Sequence, residues 1–315
     1  MKLRMGSRGS QLALWQANHI AGLLRAQGHS VEIEIIKTTG DRLQEFTFAQ
    51  VGSKGMFIKE IEEALAAGRV DLAVHSLKDL PTELPETFAL AATPKRVDPR
   101  DAFVSVKYGS LAELPEGARV GTSSQRRRAQ LKALRPDIEA VEFRGNVDTR
   151  LRKLAEGQVD GILLAAAGLE RLEKTEWVRE RLEPNEFCPA AGQGALGIET
   201  RKDDAATIAA VAFLDDAETR FAVTTERAAL AALGGGCQVP IGIYCRPSLE
   251  RSVEGEPWVE IFAVVADPKT GKEARVFHLA PRNDADPAAL GWLTAEKLLQ
   301  AGAGPLLEVA GGVSR

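Results

Sequence analysis

The stretch Phe57-Ile58-Lys59-Glu60-Ile61-Glu62-Glu63-Ala64-Leu65-Ala66-Ala67-Gly68-Arg69-Val70-Asp71-Leu72-Ala73-Val74 decides the fold class. Its first part reads as a helix that Gly68 ends, and residues 70–74 read as a short buried strand. The same alternation runs through the first two thirds of the chain. Ser10 is a good N-cap, after which Ala13, Ala17, Ile20 and Leu24 share one helical face that Gly28 closes. Next, Val31-Glu32-Ile33-Glu34-Ile35 alternates as a half-buried strand. Arg119-Val120 leads into Gly121-Thr122-Ser123-Ser124 and a basic helix, and residues 159–165 form another buried strand. Such alternation predicts an α/β fold with mainly parallel strands. The last third differs. Residues 219–233 read as a helix stopped by Gly234-Gly235-Gly236, and residues 258–266 and 274–279 as strands joined through Asp267-Pro268-Lys269-Thr270-Gly271. A closing helix from about Pro287 to Ala301 completes a separate, smaller α+β domain.

Composition sets the outer limits. The 315 residues are 44% hydrophobic and 27% charged, with a formal net charge of −4, which is ordinary globular composition and predicts two or three domains. The N-terminal residues lack the apolar run of a secretory signal. An uncharged run at 228–245 has the length of a membrane span, but Gly234, Gly235, Gly236, Gln238 and Pro240 break it as a helix. Cys188, Cys237 and Cys245 are too few for a disulfide scaffold and lack zinc-site spacing, and His19, His29, His75 and His278 are scattered. The expectation is a soluble, cytoplasmic protein with no metal site.

Charge is unevenly spread. Residues 119–153 hold ten basic side chains against four acids, a net +6, so the rest of the chain carries −10. A basic zone on an acidic protein points to an anionic ligand held in one place. Arg126-Arg127-Arg128 follows a turn whose glycine, hydroxyls and free backbone N–H groups suit an anion; a solvated basic helix face is the alternative. Arg144-Gly145-Asn146-Val147-Asp148-Thr149-Arg150 and Gly6-Ser7-Arg8-Gly9-Ser10 repeat the combination of glycine, polar side chain and arginine, which favours a polyanion. His75-Ser76-Leu77-Lys78-Asp79-Leu80-Pro81 lies beyond the carboxyl end of a strand, where α/β proteins bind ligands. There Lys78 suits an anion and Asp79 a cation or a proton, unless both simply face solvent. Cys237, on a glycine-rich loop at a helix end, is either a covalent attachment point or an inert small hydrophobe. Segment 38–56, bracketed by glycines and poorly periodic, is a lid or a link.

Six of these stretches, in order, resemble porphobilinogen deaminase, also called hydroxymethylbilane synthase. They are Gly6-Ser7-Arg8-Gly9-Ser10, Val74-His75-Ser76-Leu77-Lys78-Asp79-Leu80-Pro81, Gly121-Thr122-Ser123-Ser124 with Arg126-Arg127, and Arg144-Gly145-Asn146-Val147 with Thr149-Arg150. Pro189-Ala190-Ala191-Gly192-Gln193-Gly194 and Gly235-Gly236-Cys237-Gln238-Val239-Pro240 complete the set. Gln125 stands where the family commonly has leucine, and Arg128 adds a third arginine.

The resemblance implies two periplasmic-binding-protein-like α/β domains with a cleft between them, plus the smaller C-terminal α+β domain. The implied divisions are 1–94 with 195–213, then 95–194, then 214–315. It implies an enzyme that joins four porphobilinogen molecules head to tail, releasing ammonia each time. Growth takes place on a dipyrromethane cofactor bound through a thioether to Cys237. With two carboxylates per ring, the growing chain gathers about a dozen negative charges, which arginine holds well. The implied cofactor residues are Ser76, Lys78, Asp79, Thr122, Ser123, Ser124, Arg126, Arg127, Arg144 and Gly145. The implied substrate residues are Arg8, Ser10, Arg144, Arg150, Arg171 and Gln193. Asp79 is the expected catalytic residue, beside the ring N–H groups. Segment 42–57 is the expected lid, with Lys54 reaching a substrate carboxylate. A monomer is expected. A non-catalytic ligand-binding protein gives Cys237 and Asp79 no joint purpose. A nucleic-acid binder fits poorly with a pI near 5.8 and arginines without interleaved aromatics.

Overall fold

A computed structural model of the chain describes residues 1–39, 58–235, 239–253, 256–283 and 285–311. Cys237, Lys54 and the segment 42–57 lie outside the described residues. The chain begins with β1 (Lys2–Ser7), α1 (Gln11–Ala26), β2 (Ser30–Ile35), α2 (Lys59–Ala66), β3 (Leu72–Ser76) and β4 (Phe88–Ala92). It continues through β5 (Asp101–Val104), β6 (Arg119–Gly121), α3 (Gln125–Leu134), β7 (Glu139–Val141), α4 (Val147–Ala155), β8 (Gly161–Ala165), α5 (Ala166–Arg171) and β9 (Val178–Leu182). Then come β10 (Leu196–Arg201), α6 (Ala205–Val211) and α7 (Ala217–Ala232). The chain closes with β11 (Ile241–Val253), β12 (Glu256–Ala266), β13 (Glu273–Pro281), α8 (Pro287–Gln300) and α9 (Ala303–Gly311).

Residues Met1–Val97 and Ala195–Arg220 form one compact unit, and Asp98–Gly194 with Phe221–Arg315 form another. The first unit is built on a sheet of order β2-β1-β3-β10-β4, in which β1 runs parallel to β2 and β3 while β10 is antiparallel to β3 and β4. The second unit repeats the plan as β7-β6-β8-β5-β9, with β5 the antiparallel insert. Both sheets are thus less parallel than the alternation predicts. No helix separates β5 from β6, and β10 follows directly on the second unit's strands, so neither belongs to a βαβ crossover that would fix its direction. The α/β plan is thus built twice, once in each unit. The second unit also carries the α+β part, an antiparallel meander β11-β12-β13. Its hairpin forms where read: Asp267 accepts from Lys269 N at 2.9 Å and from the Thr270 hydroxyl at 2.6 Å.

The apolar stripe of α1 (Ala17, Ile20, Ala21, Leu24) lies buried with Leu3 and Met5 of β1 and Leu72 and Val74 of β3, which sets the loop after β1 at the end of the sheet. In the second unit, Leu131 of α3 packs with Phe103 and Val120, and Phe187 seals the cluster. No helix among the described residues is long and apolar enough to cross a membrane. Phe103 is fully buried in the middle of its sheet. Phe103→Ala is expected to cost about 3–5 kcal/mol of stability to denaturant, through lost transfer energy and the cavity left behind; an unchanged unfolding midpoint would contradict this placement.

Candidate active site

In the first unit, β1 ends at Ser7 and the Arg8-Gly9-Ser10 loop turns into α1, where the Ser10 hydroxyl caps the helix by accepting from Ala13 N at 3.3 Å. Strand β3 runs on through His75 and Ser76, two residues further than the sequence suggests, and a 3-10 turn at Leu77–Asp79 follows. These two strand ends share one pocket, lined among others by Arg8, Ser10, Gln16, His75, Ser76 and Asp79. Four of the expected residues are therefore brought together: Arg8, Ser10, Ser76 and Asp79. Asp79 is exposed; Lys78, beside it, is half-buried and outside that lining. Gln16, which sequence reasoning missed, donates to the Ser76 hydroxyl at 2.8 Å and fixes its orientation.

In the second unit the organising group is Asp101, at the start of β5 and fully buried. Arg126 Nη1 donates to its Oδ2 at 2.6 Å and Nη2 to Oδ1 at 3.2 Å, while Arg127 Nε donates to Oδ1 at 2.9 Å. Gln193 Nε2 adds a bond to Oδ1 at 3.1 Å and another to Pro99 O at 2.7 Å. Burial alone would raise the Asp101 pKa, but the two guanidiniums outweigh it and hold the carboxyl well below the usual range. Arg126 also reaches Cys188 O at 2.7 Å, and Arg127 reaches Leu163 O at 3.0 Å. The structure thus turns Arg126, Arg127 and Gln193 inward onto Asp101. Arg171, buried, donates to Gly194 O at 2.7 Å, and burial pushes its pKa down to about 10.

The loop Thr122-Ser123-Ser124 leads into α3, where Ser124 caps the helix by accepting from Arg127 N at 3.4 Å. Gly121 is required there, because a Cβ would lie 2.6 Å from the Phe143 ring. Gly145 has φ +122° and sits against Thr149, and Asn146 caps α4 by accepting from Thr149 N at 2.9 Å. These turns place Arg144 and Arg150 half-buried on neighbouring turns. Arg144 Nε donates to Glu142 at 2.6 Å. Arg150 Nε is buried with no hydrogen-bond partner among the described residues. Burial first, then the charges of Arg127 and Arg144, push the Arg150 pKa down to about 10, with Glu142 opposing. A cationic cluster whose members repel one another, with a donor left over, fits a polycarboxylate such as dipyrromethane. The Cys188 and Cys245 thiols are both buried, and burial pushes Cys188 up to about 12.

The porphobilinogen deaminase model described as the dipyromethane cofactor binding domain matches residues 3–209, and the model of that family's C-terminal domain matches 220–300. The chain belongs to the porphobilinogen deaminase family. A porphobilinogen deaminase of Trichlorobacter lovleyi is 49% identical over 310 residues, covering 98% of this chain and 96% of its own. One from Roseiflexus castenholzii is 48% identical over 307 residues, covering 97% and 98%. One from Nitratidesulfovibrio vulgaris strain Miyazaki F reaches 55% over 242 residues, covering 76% of each chain.

Besides Gln16, sequence reasoning missed Asp101 and Glu199, whose Oε2 lies 2.8 Å from His75 Nε2. Each acid adjoins an apolar run, Asp101 before Ala102-Phe103-Val104 and Glu199 after Leu196-Gly197-Ile198, and that placement was the available signal. Asp101→Asn is expected to destabilise the protein by about 3–5 kcal/mol at pH 7, since two buried guanidiniums lose their counter-charge. With a folded pKa below the unfolded one, the carboxylate stabilises above about pH 4, and its contribution fades as pH falls further. Denaturation of both proteins from pH 7 to 3 should show the gap narrowing only below about pH 4; a constant gap would contradict the assignment.

Proposed function

We propose that this protein is a hydroxymethylbilane synthase, a transferase that polymerises four porphobilinogen molecules head to tail with release of ammonia, and that its second unit grips the carboxylates of the growing product. The observation that carries the reading is the cationic cluster of Arg127, Arg144 and Arg150 within residues matched as a dipyromethane cofactor binding domain. When bound through Cys237, dipyrromethane supplies the terminal pyrrole from which the product grows. In the second unit, Arg144, Arg150 and the hydroxyls of Ser123 and Ser124 are the groups that suit acetates and propionates, through charge-assisted and neutral hydrogen bonds; in the first unit, taken by itself, Lys78 and the Ser76 hydroxyl are. Gly145 lets the backbone between the two arginines turn. Thr122 supports that loop by accepting from Ser124 N at 3.2 Å. Arg126 and Arg127, tied to Asp101, fix the cluster from behind and add to its positive field, and Gln193 and Arg171 steady the loop between β9 and β10.

Arg8 and Ser10 take substrate carboxylate in the first unit's pocket. Asp79, exposed in that lining, faces the pyrrole N–H groups. Loss of ammonia from porphobilinogen leaves an electron-poor methylene-pyrrole cation, and a fixed carboxylate stabilises such charge where it develops. It also handles the proton displaced when the new bond forms. We further propose the three-domain division at 94/95, 194/195 and 213/214, a monomeric state and a cytoplasmic location. Separate apolar clusters in the two α/β sheets and in the meander support the division.

Asp79→Asn separates catalysis from loading. The variant should retain the mass of bound cofactor and give colour with acid Ehrlich's reagent, yet release ammonia from porphobilinogen at least about 100-fold more slowly. Near-normal ammonia release would remove Asp79 from the mechanism.

A further inference from the structure

The first unit keeps a fully buried carboxylate that the chemistry above leaves unused. Glu199 on β10 is 0% exposed, and its Oε2 lies 2.8 Å from Nε2 of His75 on the adjacent strand β3. Its second oxygen, Oε1, is buried with no hydrogen-bond partner among the described residues. Withdrawing a carboxylate from water this fully is costly, and an apolar pair would pack between the strands at less expense. The imidazole is placed differently from its partner. It lines the pocket that holds Asp79, Arg8 and Ser76, so one ring edge is sealed on Glu199 while the residue borders the space assigned to substrate. With Nε2–H donated to the carboxylate, Nδ1 carries the lone pair, the arrangement in which a carboxylate fixes a histidine tautomer.

We propose that His75, held in this tautomer by Glu199, accepts a hydrogen bond from the aminomethyl ammonium of porphobilinogen, with Glu199 as its positioning residue. The inference rests on the porphobilinogen reading of the pocket and names the group that receives the amine end. No proton changes hands in this contact: the ammonium keeps its hydrogens, the carbon–nitrogen bond breaks, and its electron pair leaves with ammonia. Among the described residues, Glu199 from β10 holds the ring, the charge of Glu62 from α2 is felt there, and Arg8 from the loop after β1 and Asp79 from the turn after β3 line the same pocket; α1 contributes the uncharged Gln16. Burial first, and the charge of Glu199 second, hold Glu62 above the usual glutamate range, with His75 opposing.

Three variants of the cofactor-loaded enzyme test this, each checked by intact mass and assayed for kcat and KM. His75→Gln keeps an amide N–H for Glu199 but has no acceptor at the Nδ1 position. It should raise KM for porphobilinogen about tenfold with a smaller change in kcat. Glu199→Gln keeps an acceptor for Nε2–H and should leave KM within about threefold of wild type. Glu199→Leu removes that acceptor and frees the tautomer, and should raise KM about tenfold with a smaller change in kcat. A wild-type KM in His75→Gln would overturn the proposal, as would a wild-type KM in Glu199→Leu, which decides alone where the first variant does not fold. Wild-type enzyme that releases no ammonia from porphobilinogen would instead overturn the functional reading, and this inference with it.

Discussion

Burying Asp101 is tolerable only while Arg126 and Arg127 remain beside it, and that requirement dictates which way α3 faces. The two guanidiniums are near 5% exposed, unusual for arginine, and each also satisfies a backbone carbonyl, Cys188 O or Leu163 O. A helix start carrying two inward arginines cannot rotate without leaving a charge unpaired in the interior. The Gly121–Ser124 turn is fixed by the same bonds, as is the loop that brings Gln193 onto Asp101. The neighbouring cations Arg144 and Arg150 therefore face a prepared, electropositive surface. Preorganisation of this kind lets charged groups bind anions without paying reorganisation energy when the ligand arrives.

Much of this was legible in the sequence, for physical reasons that differ from residue to residue. Ser10 was readable because capping is local: its side chain accepts from a backbone N–H three residues ahead. The α1 stripe and the hairpin at Asp267 were readable for the same reason, since periodicity and turn chemistry act over a few residues. Direction in the sheets was not. Strands β5 and β10 are antiparallel inserts whose neighbours lie far along the chain, and their own residues carry no trace of it.

The arginines show the limit most clearly. Arg126 and Arg127 look like ligand-facing groups when only their neighbours in sequence are considered. Their partner Asp101 is 25 residues away from Arg126, and Gln193 is 92 from Asp101. Long-range neutralisation of this sort sets where the guanidiniums lie, and it leaves no trace in the residues beside them in sequence. His75 runs the other way: it reads as a scattered histidine, and its partner Glu199, with Oε2 2.8 Å from Nε2, is 124 residues away.

The central claim is that one tethered acceptor, surrounded by a preset cationic surface, receives porphobilinogen units in succession. It is tested most directly by intact-mass spectrometry of the cofactor-loaded protein given limiting porphobilinogen. The account predicts a covalent base mass two pyrrole units above the bare chain, and above it a ladder of discrete one-, two- and three-ring additions that clears as product is released. A protein that turns over porphobilinogen while its mass never rises above the bare chain would contradict it.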